Sequence, residues 1–163
     1  MSEAFIYEAL SESPDPSFRK MAASDAGCPP HVLAKLAQDE DHEVRNLVAA
    51  NPSTPPEWLL YLAMDQDPFV RAFVAENPSA PTEALEILLN DPSPIVRSNL
   101  ALNPKLPVEF FHVLSQDPSP WVREDVALSP RTPLDCLETL ARDPKSEVAY
   151  WANLRLRRLK AGA

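Results

Sequence analysis

Val44-Arg45, Val70-Arg71, Val96-Arg97 and Val122-Arg123 recur every 26 residues, and one further step reaches Val148. The same register carries Asn51-Pro52, Asn77-Pro78, Asn103-Pro104 and Ser129-Pro130, then Pro55, Pro81, Pro107 and Pro133. Leu62, Leu88, Leu114 and Leu140 form another column, and Asp39, Asp65, Asp91, Asp117 and Asp143 another. Units of this size bury their apolar faces only against their neighbours, so the chain must be a tandem stack. Each unit contains two helical patterns and no strand pattern, which predicts an all-α fold: an α-solenoid of 26-residue two-helix repeats. The expected layout is one domain over 1–163, with a capping helix over 1–14, five repeats over 15–144 and a C-terminal half-repeat cap over 145–163.

Residues 41–66 serve as the reference unit. Its first helix is predicted to start after Asp41, with Asp67, Ser93 and Ser119 at matching positions, residues whose side-chain oxygens can accept from orphan helical N–H groups. Pro68, Pro94 and Pro120 then occupy the first helical position, where a missing N–H costs nothing. The helix should stop near Asn51, Asn77 or Asn103, because the residue before a proline is pushed out of the α region. The second helix is expected from Pro55, Pro81, Pro107 or Pro133, with Glu57, Glu83, Glu109 and Asp135 facing the positive end of the helix dipole. Thr54-Pro55-Pro56-Glu57 has capping-box spacing. Leu59, Leu62 and Ala63, like Leu85, Leu88 and Leu89, give each second helix one apolar face. With 19 prolines and 2 glycines, Gly27 and Gly162, the turns use fixed-φ residues and should resist hinge motion. The last segment, Leu154 to Lys160, lacks a proline stop and is expected to turn its arginines outward.

The net charge of −9 is unevenly placed. Residues 1–92 hold 16 acidic and 5 basic side chains, whereas 93–163 hold 8 and 10. Such acidity opposes binding to a phosphate backbone, whose affinity comes from Lys and Arg. The longest apolar stretches are too short to span a bilayer, and the segment from Met1 to Glu8 has no basic leader, so a cytoplasmic location without membrane attachment is expected. Cys28 and Cys136 fall in different repeats, which makes a disulfide an unexpected pairing.

The run Asp67-Pro68-Phe69-Val70-Arg71-Ala72-Phe73-Val74-Ala75-Glu76-Asn77-Pro78, followed by the second-helix leucines, resembles the leucine-rich repeat variant family over about residues 15–150. The resemblance implies a right-handed superhelix of two helical layers, one of them 3₁₀ in part, and no sheet. Some members of that family carry an N-terminal cysteine cluster holding an iron–sulfur centre. Here only Cys28 lies in that region, so no cluster is carried over. The six-residue spacing of Asp65 to Arg71 also resembles the Asp/Arg pairs of HEAT repeats. It assigns Asp39, Arg45, Asp65, Arg71, Asp91, Arg97, Asp117 and Arg123 a structural role between repeats, with an anion-binding row of arginines, Arg19 included, as the alternative.

Catalytic constellations are thin. His31, His42 and His112 sit at three different repeat positions without zinc-site spacing, and there is no glycine-rich phosphate loop. No catalytic residue, metal or cofactor is expected. What varies between units is the column just before the recurring Val (Glu43, Phe69, Ile95, Trp121, Glu147) and the one four residues on (Leu47, Phe73, Asn99, Asp125, Trp151). These columns share one side of the first helices. Phe69, Phe73, Ile95 and Trp121, flanked by Asn99 and Asp125, are therefore candidates for contact with a protein or peptide partner, if they do not instead fill the groove to the next helix. Trp58 and Tyr61 are a weaker second candidate. The expectation is a non-enzymatic interaction scaffold. The alternatives are a nucleic-acid-binding repeat resembling a helical DNA glycosylase and an iron–sulfur-associated redox adaptor.

Overall fold

A computed structural model of the chain describes residues 3–161. Met1, Ser2, Gly162 and Ala163, which the expected cap boundaries include, lie outside the described residues. The first helices of successive units are α2 (Pro16–Ser24), α4 (His42–Ala50), α6 (Pro68–Glu76), α8 (Pro94–Leu102), α10 (Pro120–Leu128) and α12 (Ser146–Ala161). The second layer consists of α1 (Glu3–Ser11), which precedes them, and α3 (Pro30–Leu36), α5 (Pro56–Leu62), α7 (Thr82–Leu89), α9 (Val108–Leu114) and α11 (Leu134–Leu140), which run between them. No strand occurs among the described residues, and no helix there is long and apolar enough to cross a membrane. The result is an α-solenoid of two helical layers.

Local chemistry sets the helix starts. Asp15, Asp41 and Asp67 accept from the N–H groups of Ser17, Glu43 and Phe69 at 2.9, 2.8 and 2.8 Å, with proline at the first helical position in α2 and α6. Ser93 and Ser119, expected to cap in the same way, make no side-chain cap bond; their own N–H groups donate to Asp91 and Asp117 instead. The expected capping box is also absent. Pro55 holds the cap position of α5, which leaves Thr54 one residue too early, and its hydroxyl reaches back to the Val48 carbonyl at 2.6 Å. All second-layer helices among the described residues are α-helices. Tight i→i+3 bonds are confined to their ends, such as Trp58 N–H to Pro55 O at 2.9 Å, while Ala63 N–H to Leu59 O at 2.9 Å is α-type.

The core runs the length of the stack. Val44, Val70, Val96, Val122 and Val148 are buried, as are Leu36, Leu62, Leu88, Leu114 and Leu140, and all belong to one continuous apolar cluster. Burying each such side chain contributes about 1.5–3 kcal/mol. A third buried column, Ala23, Ala49, Ala75, Ala101 and Ala127, lets neighbouring first-layer helices approach closely along their length. Second-layer helices of neighbouring units touch far less.

Two polar ladders tie the units together. Arg19, Arg45, Arg71, Arg97 and Arg123 each grip an aspartate twenty residues ahead (Asp39, Asp65, Asp91, Asp117, Asp143) through Nε at 2.6–2.7 Å and Nη2 at 2.9–3.1 Å. The Nη1 of the last four donates to the backbone carbonyl of the aspartate six residues behind, at 2.6–2.8 Å. The six-residue spacing is thus a guanidinium-to-carbonyl bond that crosses the unit boundary, and the ion pair ties each first-layer helix to the turn that leads into the next. In the second ladder Asn51 Nδ2 donates to the Ala23 and Asp25 carbonyls, Asn77 to those of Ala49 and Asn51, and Asn103 to those of Ala75 and Asn77, at 2.7–3.1 Å. Each asparagine so satisfies the alanine carbonyl left open in the last turn of the preceding first-layer helix, and shares the carbonyl of the residue that ends it with a turn N–H.

Candidate functional site

The first layer presents one face to solvent, and the variable columns lie on it. Phe69 and Phe73 on α6 are 54% and 40% exposed, Ile95 on α8 is 43% exposed and Trp121 on α10 is 71% exposed. These side chains do not fill the groove between helices, because the Val and Ala columns already do so. Leu102 and Leu128, seven residues beyond Ile95 and Trp121 on the same helix faces, are also exposed and extend the stripe. Helical spacing marks both leucines, but their place just before the helix-ending Asn103 and Ser129 reads as core.

Asn99 and Asp125 do not flank the stripe as free polar groups. Both are half-buried: Asn99 Nδ2 donates to the Ala72 carbonyl at 3.2 Å, and Asp125 accepts from the Ser98 hydroxyl. These two fasten α8 to α6 and α10 to α8. Trp151 behaves alike, half-buried with Nε1 donating to Glu124 at 3.1 Å. At the ends of the stripe column stand charged residues: Glu43, paired with Lys20, and the exposed Glu147.

The arginine column offers little to an anion, since in every one of its five members Nε, Nη1 and Nη2 are engaged. Hydrogen bonds to the aspartates raise the affinity of all five guanidiniums for their proton. Burial alone would raise the carboxyls of Asp65 and Asp117, but Arg45 and Arg97, helped by the N–H groups of Asp67 and Ser119, hold both below the ordinary aspartate value. Arg123 does the same for Asp143.

Arg155 departs from the expected outward-facing cluster. It stands in the register of the asparagine ladder, half-buried, with Nη1 3.5 Å from the Ala127 carbonyl and Nη2 3.1 Å from that of Pro130. Ser129 in the same column is too short to reach, and Arg131 supplies donors to the Asn103 and Leu106 carbonyls at 3.4 and 2.8 Å. Arg157, Arg158 and Lys160 are exposed.

On the second layer Trp58 is half-buried, Tyr61 is exposed, and their rings meet edge-on at 5.4 Å. Tyr61, Ile87 and Val113 form an exposed column there, but on helices that stand apart. Cys28 and Cys136 are both buried and unpaired; burial pushes the Cys28 thiol up to about 11 and also raises that of Cys136. One cluster was not legible as a site in the sequence. The Nε2 of His112 lies 2.8 Å from Asp135, and these two with Cys136 place their ligand atoms within 4.8 Å of one another. The register holds the signal: the equivalent positions 8 and 31 carry a second histidine–carboxylate pair, Glu8 and His31, at 3.3 Å.

Two family models match part of the chain. A family model described as the Leucine Rich Repeat Variant domain matches residues 17–78, and a second, Leucine rich repeat variant, matches residues 68–93. No curated protein matches the chain. A solved structure described as a leucine-rich repeat variant with a novel repetitive protein structural motif is 27% identical over 93% of this chain and 71% of its own, with a TM-score of 0.40. Over residues 17–93 the chain is thus similar to the leucine-rich repeat variant family.

Proposed function

We propose that this protein is a non-enzymatic scaffold that binds a protein or peptide partner on the solvent face of its first helical layer. The observation that carries the reading is Trp121, 71% exposed and in line with Phe69, Phe73 and Ile95 on helices that touch one another. Trp and other aromatic residues dominate binding energy at protein interfaces, and a contiguous apolar strip held on a rigid layer needs little reorganisation to bind. The Tyr61, Ile87 and Val113 column lacks that continuity. Glu43, Glu76 and Glu147 border the strip and favour a partner with basic residues beside its apolar anchors.

A cytoplasmic location belongs to the same reading and is supported by two unpaired thiols, as is usual in a reducing compartment. Nucleic acid is not part of it, because the arginine column is committed to aspartates and the chain is acidic. Selection from a displayed random-peptide library tests the proposal. The expected peptides combine aromatic or aliphatic anchors with Lys or Arg and lose binding to Trp121→Ala. Peptides that bind this variant as well as the parent, or salt-sensitive retention of DNA by the parent in a low-salt gel shift, would count against it.

A further inference from the structure

We propose that His112, Asp135 and Cys136 form a binding site for one thiophilic divalent cation of the zinc(II) class, which would bridge α9 and α11 on the second layer. An imidazole, a carboxylate and a thiolate are the three ligand types zinc accepts, and three protein ligands with a fourth position left to water is an established zinc arrangement. The ligand atoms all lie within 4.8 Å of one another. Zinc bond lengths of about 2.0–2.3 Å at tetrahedral angles put neighbouring ligand atoms about 3.3–3.6 Å apart. His112 and Asp135 are exposed and free to close that difference, whereas Cys136 is anchored in the core.

The surroundings are arranged for it. His112 Nε2 already faces Asp135 Oδ2 at 2.8 Å, and Asp135 Oδ1 accepts the Cys136 N–H at 2.9 Å, which aims the carboxylate from the helix that bears the thiol. In the four earlier unit junctions the equivalent trios are Glu8, His31 and Val32; Ala34, Glu57 and Trp58; Leu60, Glu83 and Ala84; and Glu86, Glu109 and Phe110. Imidazole, carboxylate and thiol meet at this junction alone. A cation here would tie together two helices of the layer whose neighbours otherwise touch little. On binding, the thiol passes its proton to solvent and the thiolate takes the cation, so uptake releases one proton and strengthens as pH rises.

The test is titration of the reduced full chain with Co(II) under anaerobic conditions, followed by displacement with Zn(II). The expected result is one equivalent bound, with a thiolate-to-cobalt charge-transfer band in the near ultraviolet that zinc abolishes. His112→Ala, an exposed change that leaves the fold intact, should weaken binding by at least about tenfold, and Cys136→Ser should remove the band while Cys28→Ser keeps it. A missing band in the parent, a band that survives Cys136→Ser, or undiminished affinity in His112→Ala would overturn the proposal. Binding that follows Glu8 and His31 instead would overturn it equally.

Discussion

Arg45 holds Asp65, in the turn before α6, with two parallel bonds, 2.7 Å from Nε and 3.1 Å from Nη2, while its Nη1 closes on the carbonyl of Asp39 in the preceding unit at 2.8 Å. One side chain therefore fixes the turn into its own helix and the turn into the following one. Asp65 is doubly used as well, because Oδ1 also accepts the Asp67 N–H at 2.9 Å just before α6. Repeated along the chain, this relation sets the register of the whole stack without any contact between distant units.

Removing one partner leaves a charge with nowhere to go. The side chain of Asp117 is 5% exposed beside Arg97, so Arg97→Ala strands a buried carboxylate. The expected loss is about 2–4 kcal/mol in urea unfolding, and Arg97→Lys should recover only part of it because lysine lacks the two-pronged geometry. A loss under about 0.5 kcal/mol would mean the pair behaves like an ordinary surface ion pair.

The same ladder predicts a pH profile. Asp65, Asp117 and Asp143 have lowered pKa values in the folded chain, so the unfolded state binds protons first on acidification. Their contribution is complete above the unfolded carboxyl value of about 4 and is lost as pH falls through the lower folded values. Denaturant midpoints should stay flat on account of these groups from neutral pH down to about 5 and fall steeply below about 4. A fall centred near neutrality would point to other groups.

Asn77 is buried, and its amide group makes three bonds, to the carbonyls of Ala49 and Asn51 and from the Ser79 N–H. Asn77→Ala takes their side-chain partner from the Ala49 carbonyl and the Ser79 N–H, while the Asn51 carbonyl keeps the Thr54 N–H, and should cost about 2–3 kcal/mol. Asn77→Asp should cost more, since a carboxylate would face two carbonyl oxygens. Thermal unfolding of the two variants ranks them directly.

Exposure separates binding from packing. Trp121→Ala should change stability by no more than about 0.5 kcal/mol, yet weaken a selected peptide by about 2 kcal/mol or more. Phe111, fully buried on α9, is the contrast: Phe111→Ala should cost about 3–5 kcal/mol of stability. If Trp121→Ala destabilises as much as Phe111→Ala, its ring is part of the core and the surface reading fails.

Columns repeated in register made the two layers, the core valines and leucines and the helix boundaries legible in the sequence, because each unit repeats the same evidence. Pairing between distant columns was harder to read. Arg71 lies six residues after Asp65 in sequence, but the carboxylate it grips is Asp91, brought near only by the intervening second-layer helix. Asn103 reads as a helix stop, while the destination of its side chain depends on how closely α8 packs on α6. Thr54 misled for a local reason, since two prolines shift the helix start past the residue that composition favours as a cap. In the stripe, residue type identified Phe69 and Trp121. The close approach of each first-layer helix to its predecessor, invisible in one dimension, turned Asn99 and Asp125 from surface groups into ties.

The most direct test of the account is amide hydrogen exchange of the full chain with and without a library-selected peptide. The account predicts added protection along α6, α8 and α10 with α5, α7 and α9 unchanged, and its loss in Trp121→Ala. Protection centred on the second layer, or on the arginine-rich end of α12, would contradict it.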